Sequence, residues 1–269
     1  TGQAAVSTLL TLLLGLPAAY AFAHYRFRGK SLLRALTTIP FVLPTIVVAA
    51  AFTALVGPQG HLNRVLVAVL EWLGGSSSGP VLRLQHTLTL VLIAHVFYNA
   101  SVIVRVVGSF WANLDPRIEE AARALGAGRW RTWREVTLPI LVPSIAAASL
   151  LVFLFTFTSF GLVLVLGGPR WSTIEVEIYN QAIPLFNLPM AAALSIVQMI
   201  LTFAIMWAYT RIQARAAVPL NLRPGDSALR HPPGLGAGLV AWGGVAVLLL
   251  LVLAPLLALS GCLASVSSY

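Results

Sequence analysis

The sequence predicts an all-α fold, a polytopic transmembrane helix bundle with about six spanning helices. Three observations carry this. Of its 269 residues 58% are hydrophobic and only 9% are charged, against about 25% charged in an ordinary soluble domain. The mean hydropathy is +0.89. Six stretches have the roughly 20 apolar residues that a helix needs to cross a bilayer, and none alternates with period two as a barrel strand would.

In order, the predicted spans are Ala4–Ala23, Leu36–Val56, Thr87–Phe110, Leu138–Leu166, Leu188–Tyr209 and Leu235–Leu263. Pro17, Pro40, Pro44 and Pro143 fall inside them. In a membrane bundle neighbouring groups re-satisfy the carbonyls that proline frees, so these positions predict kinks, with Ile39–Thr45 (IPFVLPT) the clearest. Between Arg211 and helix six, Asn221–Gly238 is rich in Pro and Gly and reads as a linker.

The net charge of +9 is carried in short runs between apolar stretches, a pattern of membrane topology rather than of nucleic-acid binding. Fourteen of the 17 basic residues lie after the first, third and fifth spans or at their ends, leaving Arg64, Arg83 and Arg170 on the other side. Because Lys and Arg stay cytoplasmic, the first span is expected to start outside. The chain enters hydrophobic sequence directly after Thr1, without the charged region of a signal peptide. The expectation is a piece of a longer, duplicated protein. In it residues 1–215 form a five-helix core that lacks a preceding helix, 216–234 form a cytoplasmic linker, and 235–269 form the first helix of a second half. Cys262 is the one cysteine, which excludes an internal disulfide and a cysteine-based metal site.

One segment departs from this apolar background. Glu119–Pro139 (EEAARALGAGRWRTWREVTLP) holds four Arg and three Glu. Asp115 suits an N-cap and Pro116 the first helical position; Ile118, Ala121, Ala122 and Leu125 follow helical spacing. Gly126 suits the left-handed residue that ends a helix. A second short helix is expected around Gly128–Val136, carrying Trp130 and Trp133, before Leu138 and Pro139 open the next span. The resulting two-helix elbow reads either as a helix that docks into a groove of another protein or as one lying in the lipid interface.

The spacing Glu120-Ala121-Ala122, three residues, Gly126, nine residues, Val136-x-Leu138-Pro139 resembles the EAA loop of ABC importer permeases, with Val136 in place of the usual Ile. The resemblance extends over residues 1–215, the core called MetI-like. It implies a cytoplasmic two-helix coupling loop that sits in a cleft of a separate ABC ATPase, with Glu120, Ala121, Ala122, Arg123, Gly126, Leu138 and Pro139 as coupling residues. Arg123, Arg129 and Arg131 are then either partners for acidic groups on the ATPase rim or solvated topology charges. Gly29–Ser31 (GKS) ends like a phosphate-binding loop, but His24 stands where the first Gly is required, so ATP is expected on the separate subunit.

Outside, Ser172 and Glu175 match a capping box for a helix with Ile174, Ile178 and Ala182 on one face. It reads as a gate, a contact for a substrate-binding protein, or a cap on the bundle. Within the membrane, His95, Asn99, Thr156, Ser159 and Gln198 are candidates for the solute pathway, the alternative being hydrogen-bonding glue between helices. His95 has no second His or carboxylate nearby in sequence, so neither a metal nor a catalytic site is expected, and the reading calls for no cofactor.

The resemblance therefore implies a multi-pass permease of a bacterial inner membrane, not an enzyme. Its partners would be ATPase subunits, a periplasmic or lipoprotein substrate-binding protein, a second permease half and the bilayer, with no nucleic acid. Phe155–Ala182 looks most like the fused permeases for iron(III) or thiamine. Spermidine/putrescine, sulfate and molybdate importers share the same core, and a non-ABC transporter or a membrane enzyme are the alternatives.

Overall fold

A computed structural model describes residues 2–25, 29–75, 79–216 and 235–266. The linker over 217–234, with Arg223, Arg230 and His231, lies outside them, as do Arg26, Arg28 and the side chains of Arg215 and Cys262. The described chain is helical without a β-strand. Its helices are α1 (Gly2–His24), α2 (Lys30–Val42), α3 (Thr45–Val56), α4 (His61–Trp72), α5 (Leu88–Ala112), α6 (Pro116–Ala124), α7 (Arg129–Thr132), α8 (Leu138–Phe157), α9 (Gly161–Leu166), α10 (Ile174–Ala182), α11 (Leu188–Ala216) and α12 (Leu235–Val266). One π-helical turn, Trp133–Thr137, joins α7 to α8. Six spans are long and apolar enough to cross a membrane.

The centre is α5, whose face from Leu90 to Val107 is almost wholly buried. Its closest neighbour is α1. A β-carbon on Gly15 would stand 2.8 Å from the Ile103 side chain, so the small residue lets the two backbones approach, as small residues do between membrane helices. Phe52 and Phe97 meet edge to face at 5.4 Å among Val48, Leu90, Leu162 and Val252. In lipid the attraction here is dispersion between close-packed atoms more than removal from water. By contrast α11 leaves Ile196, Val197, Ile200, Phe203 and Trp207 exposed, a composition suited to lipid or another helical subunit.

Two predicted spans are built differently from their expectation. The second is broken rather than kinked. Leu43 is extended (φ −71°, ψ 140°) because a residue before proline is pushed out of the helical region, and α3 starts anew after Pro44. The fourth breaks at Thr158–Phe160, separating α8 from α9. The Thr156 and Thr158 hydroxyls there donate to carbonyls of the preceding turn, a competition that bends helices. At its other end the fourth span does not start at Leu138. It runs unbroken from Arg129 to Phe157, 29 residues, so the expected separate helix at Gly128–Val136 is its first turns.

The sequence reading passed over α4. Its Asn63 is 1% exposed and donates to the Gly57 and Leu82 carbonyls at 2.8 and 2.9 Å, while accepting from the Leu82 amide at 2.7 Å. One side chain thus fastens the outer connection to itself.

Candidate functional site

The charged segment forms the elbow its spacing predicts. Asp115 caps α6 by accepting from the Arg117 amide at 2.9 Å. At the far end Gly126 is left-handed (φ 86°); its amide reaches the Arg123 carbonyl at 3.0 Å, and that of Ala127 reaches Ala122 at 3.1 Å. This pair of bonds is the Schellman closure of a helix. No residue of α6 is buried. Ile118 and Ala122 are half-buried, whereas Glu120, Ala121, Arg123 and Leu125 are exposed, Leu125 at 90%. The apolar face is thereby divided, Ile118 and Ala122 inward, Ala121 and Leu125 outward.

The predicted cations are partly engaged within the chain. Arg123 pairs with Glu119 at 3.2 Å and Arg131 with Glu135 at 2.9 Å. Trp130 stacks on Trp133 at 5.1 Å. Leu138 is half-buried and Pro139 exposed. Pro139 explains the π turn: it has no amide to continue the ladder, and the Leu138 amide bonds the Trp133 carbonyl five residues back.

Thr137, which the sequence reading did not single out, sits in that turn, 2% exposed. Its hydroxyl donates to the Glu119 carboxylate at 2.8 Å. Pro116 and Glu119 of the elbow border a small cavity with the ends of α1 and α5, where Tyr20, His24 and Trp111 pack ring against ring at 4.4 to 5.4 Å.

The intramembrane candidates divide. His95, Asn99 and Ser159 line one cavity of about 400 Å³, together with Phe41, Tyr98, Phe155, Thr158 and Phe160. It lies where both broken spans are interrupted. His95 Nδ1 and the Ser7 hydroxyl share a 3.0 Å hydrogen bond, and Nε2 has no partner among the described residues. Thr156 stands apart, fully buried and bonded to the Val152 and Phe153 carbonyls of its own helix. Gln198 is also elsewhere, its amide 3.4 Å from Glu175 on α10. The cap of α10 is Thr173, which accepts from the Val176 amide at 3.3 Å, not the expected Ser172. Glu175 faces Gln198 instead, and burial pushes its carboxyl above the usual range against the opposing pull of the Gln198 amide. The aromatic lining escaped the sequence reading because Phe41, Phe155 and Phe160 look like any other apolar residues of a span. Among the described residues no group of three His, Cys, Asp or Glu could hold a metal.

Comparison with known proteins bears on this arrangement. The family model "Binding-protein-dependent transport system inner membrane component" matches residues 11–218. The thiamine transport system permease protein ThiP of Brucella abortus (strain 2308) is 32% identical over 206 residues, 76% of this chain and 36% of ThiP. The sulfate transport system permease protein CysT of Escherichia coli (strain K12) is 30% identical over 216 residues, 79% of this chain and 74% of CysT. ThiP of Escherichia coli (strain K12) is 30% identical over 259 residues, 95% of this chain and 46% of that protein. The chain thus spans less than half the length of these ThiP relatives. Two solved structures share the fold at 18% identity. A chain of a bacterial alginate ABC transporter in complex with an alginate pentasaccharide-bound periplasmic protein has a TM-score of 0.63, over 81% of this chain and 77% of that one. A chain of the inward-facing MetNI methionine ABC transporter has 0.54, over 81% and 92%.

Proposed function

The chain belongs to the family of binding-protein-dependent transport system inner membrane components, and from that membership we propose that it forms one half of the solute pathway of a bacterial ATP-driven importer. Family and six apolar spans make it a multi-pass inner-membrane protein, a transport component rather than an enzyme. ATP hydrolysis is assigned to separate cytoplasmic ABC ATPase subunits and solute delivery to a periplasmic or lipoprotein substrate-binding protein. The other half of the pathway is a second permease unit. We assign residues 1–215 to the permease core, 216–234 to a cytoplasmic linker and α12 to the start of that second unit. In support, the family match stops at 218 while the alignment with Escherichia coli ThiP runs over 259 residues.

The observation that carries the reading is the exposed elbow. Glu120, Ala121 and the Gly126 closure are exposed and Leu125 projects at 90%, as a helix that docks in a groove requires. The mechanism follows from connectivity. α6 is tied to the π turn, and the π turn is part of one 29-residue helix, about 43 Å long at 1.5 Å per residue. The far end of that helix, at Phe155, and the break that follows it, at Thr158 and Ser159, border the cavity. A push on the elbow from a closing ATPase would therefore move the cavity wall through one rigid element. His95, Asn99 and Ser159 are the pathway residues of this reading, and thiamine and sulfate, the solutes of the named relatives, are its solute candidates. Thiamine is also one of the two the sequence resemblance implies.

The test is co-purification of the full-length protein with its ATPase, with and without Gly126→Asp. Retention by the wild type and loss in the variant supports the coupling role. A folded wild type that retains no ATPase overturns it.

A further inference from the structure

Resting on the importer reading, we propose that the cavity between α2, α5 and α8 is a transit site that selects a flat organic cation and rejects oxyanions such as sulfate. The polar lining divides into groups that have given their protons to the backbone and groups that keep them. The Tyr98 hydroxyl donates to the Leu43 carbonyl at 3.0 Å, the Thr158 hydroxyl to Leu154 at 2.9 Å, and Asn99 Nδ2 to His95 at 2.9 Å. A hydroxyl that has given its one proton to the backbone has only lone pairs left to offer, and Asn99 keeps its carbonyl oxygen and one N–H. The Thr45 and Ser159 hydroxyls also line the cavity and keep their protons, so the polar lining offers both acceptors and donors to a solute's amino groups and ring nitrogens.

The apolar lining is what favours a cation. Phe41 and Phe155 stand 5.5 Å apart at 59°, and Phe160 adds a third ring. Aromatic faces attract cations and stack on flat rings. No Lys or Arg lines the cavity among the described residues. Arg105 lines a neighbouring cavity of about 210 Å³ beyond Phe41 and Phe155, and its side chain is exposed. A dianion here would be desolvated without a countercharge, which is costly, whereas a cation gains the ring faces. The helix ends do not reverse this, because α2 and α8 terminate at the break points where α3 and α9 begin, and their partial charges oppose each other.

His95 leaves one ring nitrogen for an occupant to satisfy. It is 2% exposed, its Nδ1 is engaged by Ser7, and its Nε2 lacks a partner among the described residues. Buried polar atoms are rarely left so, and a solute bearing ring nitrogens or an amino group would complete it. The volume of about 400 Å³ falls in the range of small-ligand sites. Thiamine, a cationic ring joined to an aminopyrimidine, has this chemistry; sulfate can accept from an Nε2–H but brings no cation to the rings.

The experiment uses membranes holding the full-length protein, irradiated with 4-azidobenzyl-trimethylammonium, followed by mass spectrometry of the adducts. Adducts are expected in the segments around Phe41 and Phe155–Leu162, removed by excess thiamine and unaffected by equal sulfate. Phe155→Leu should weaken the probe's apparent affinity about tenfold and Phe155→Tyr should retain it. Adducts confined to other segments, sulfate competing as well as thiamine, or an unchanged Phe155→Leu would overturn the proposal. ATPase co-purification from the same membranes keeps the two readings apart. Loss of the ATPase with labelling intact sinks only the importer reading, and sulfate competition with the ATPase bound sinks only the cation site.

Discussion

Thr137 and Glu119, 18 residues apart, are joined by a 2.8 Å hydrogen bond that ties the exposed helix α6 to the π turn of the long membrane helix. Glu119 also pairs with Arg123, so one carboxylate closes the elbow on itself and onto its lever. A hydrogen bond to a charged group contributes about 1.5–3 kcal/mol. Thr137→Val should therefore speed amide exchange in α6 by about 10- to 100-fold, and Thr137→Ser should not. Within the importer reading the Val variant should hydrolyse ATP with less solute moved per turnover. Unchanged exchange in α6 would show that the bond bears no load.

Gly126 gives a graded series. A β-carbon there meets no atom within 4 Å, so any cost is conformational rather than steric. With φ at 86°, a residue bearing a β-carbon pays about 1–2 kcal/mol for the left-handed state, Asn least and β-branched residues most. ATPase retention should fall in the order Gly, Asn, Ala, Val. If Val is tolerated as well as Asn, closure of the elbow at Gly126 is not what the partner reads.

How much of this was legible in the sequence follows from what each feature depends on. The elbow was readable because Asp115, Pro116 and Gly126 act through local backbone chemistry, which sequence spacing carries. The break at Leu43 and Pro44 was half readable: proline announces disturbance, but whether a helix bends or stops depends on its neighbours. Thr137 was not readable, since its importance lies in a contact 18 residues away. His95 and Asn99 were conspicuous as polar residues among apolar ones, whereas Phe41, Phe155 and Phe160 were hidden by their surroundings.

Glu175 makes a pH prediction. Burial raises its carboxyl pKa in the folded state, partly opposed by Gln198. A carboxyl raised on folding leaves the folded state with more bound protons. Its contribution to stability is therefore fully present below the ordinary carboxylate pKa and is lost as pH rises through the raised value. Glu175→Gln should remove this loss and flatten the dependence of Tm on pH across that window. A variant with the wild-type pH profile would contradict the assignment.

Asn63 should be the most sensitive position of the outer connection. Its three bonds to Gly57 and Leu82 leave buried backbone groups unpaired in Asn63→Ala, at about 2–4 kcal/mol of local stability. Asn63→Asp should fare no better, because it sets a carboxylate oxygen against two carbonyls. Limited proteolysis between residues 57 and 87 reads both, and a connection as resistant as wild type in the Ala variant would refute the staple.

The break in the second span places the Leu43 carbonyl where Tyr98 can donate to it at 3.0 Å, and that bond is what directs the Tyr98 lone pairs to the cavity. Pro44→Ala restores the missing amide and relieves the constraint on Leu43, so α2 and α3 can join into one helix. The Leu43 carbonyl is then claimed by the helical ladder and Tyr98 loses its acceptor. Tyr98→Phe removes the same bond but keeps the break, leaving the carbonyl unpaired at a cost of about 1–3 kcal/mol. The two variants therefore separate shape from hydrogen bonding. A cysteine at Thr45, which lines the cavity, should lose reactivity toward a water-soluble thiol reagent in the Pro44→Ala background and keep it with Tyr98→Phe. Equal reactivity in both would mean that the proline break does not hold the cavity open.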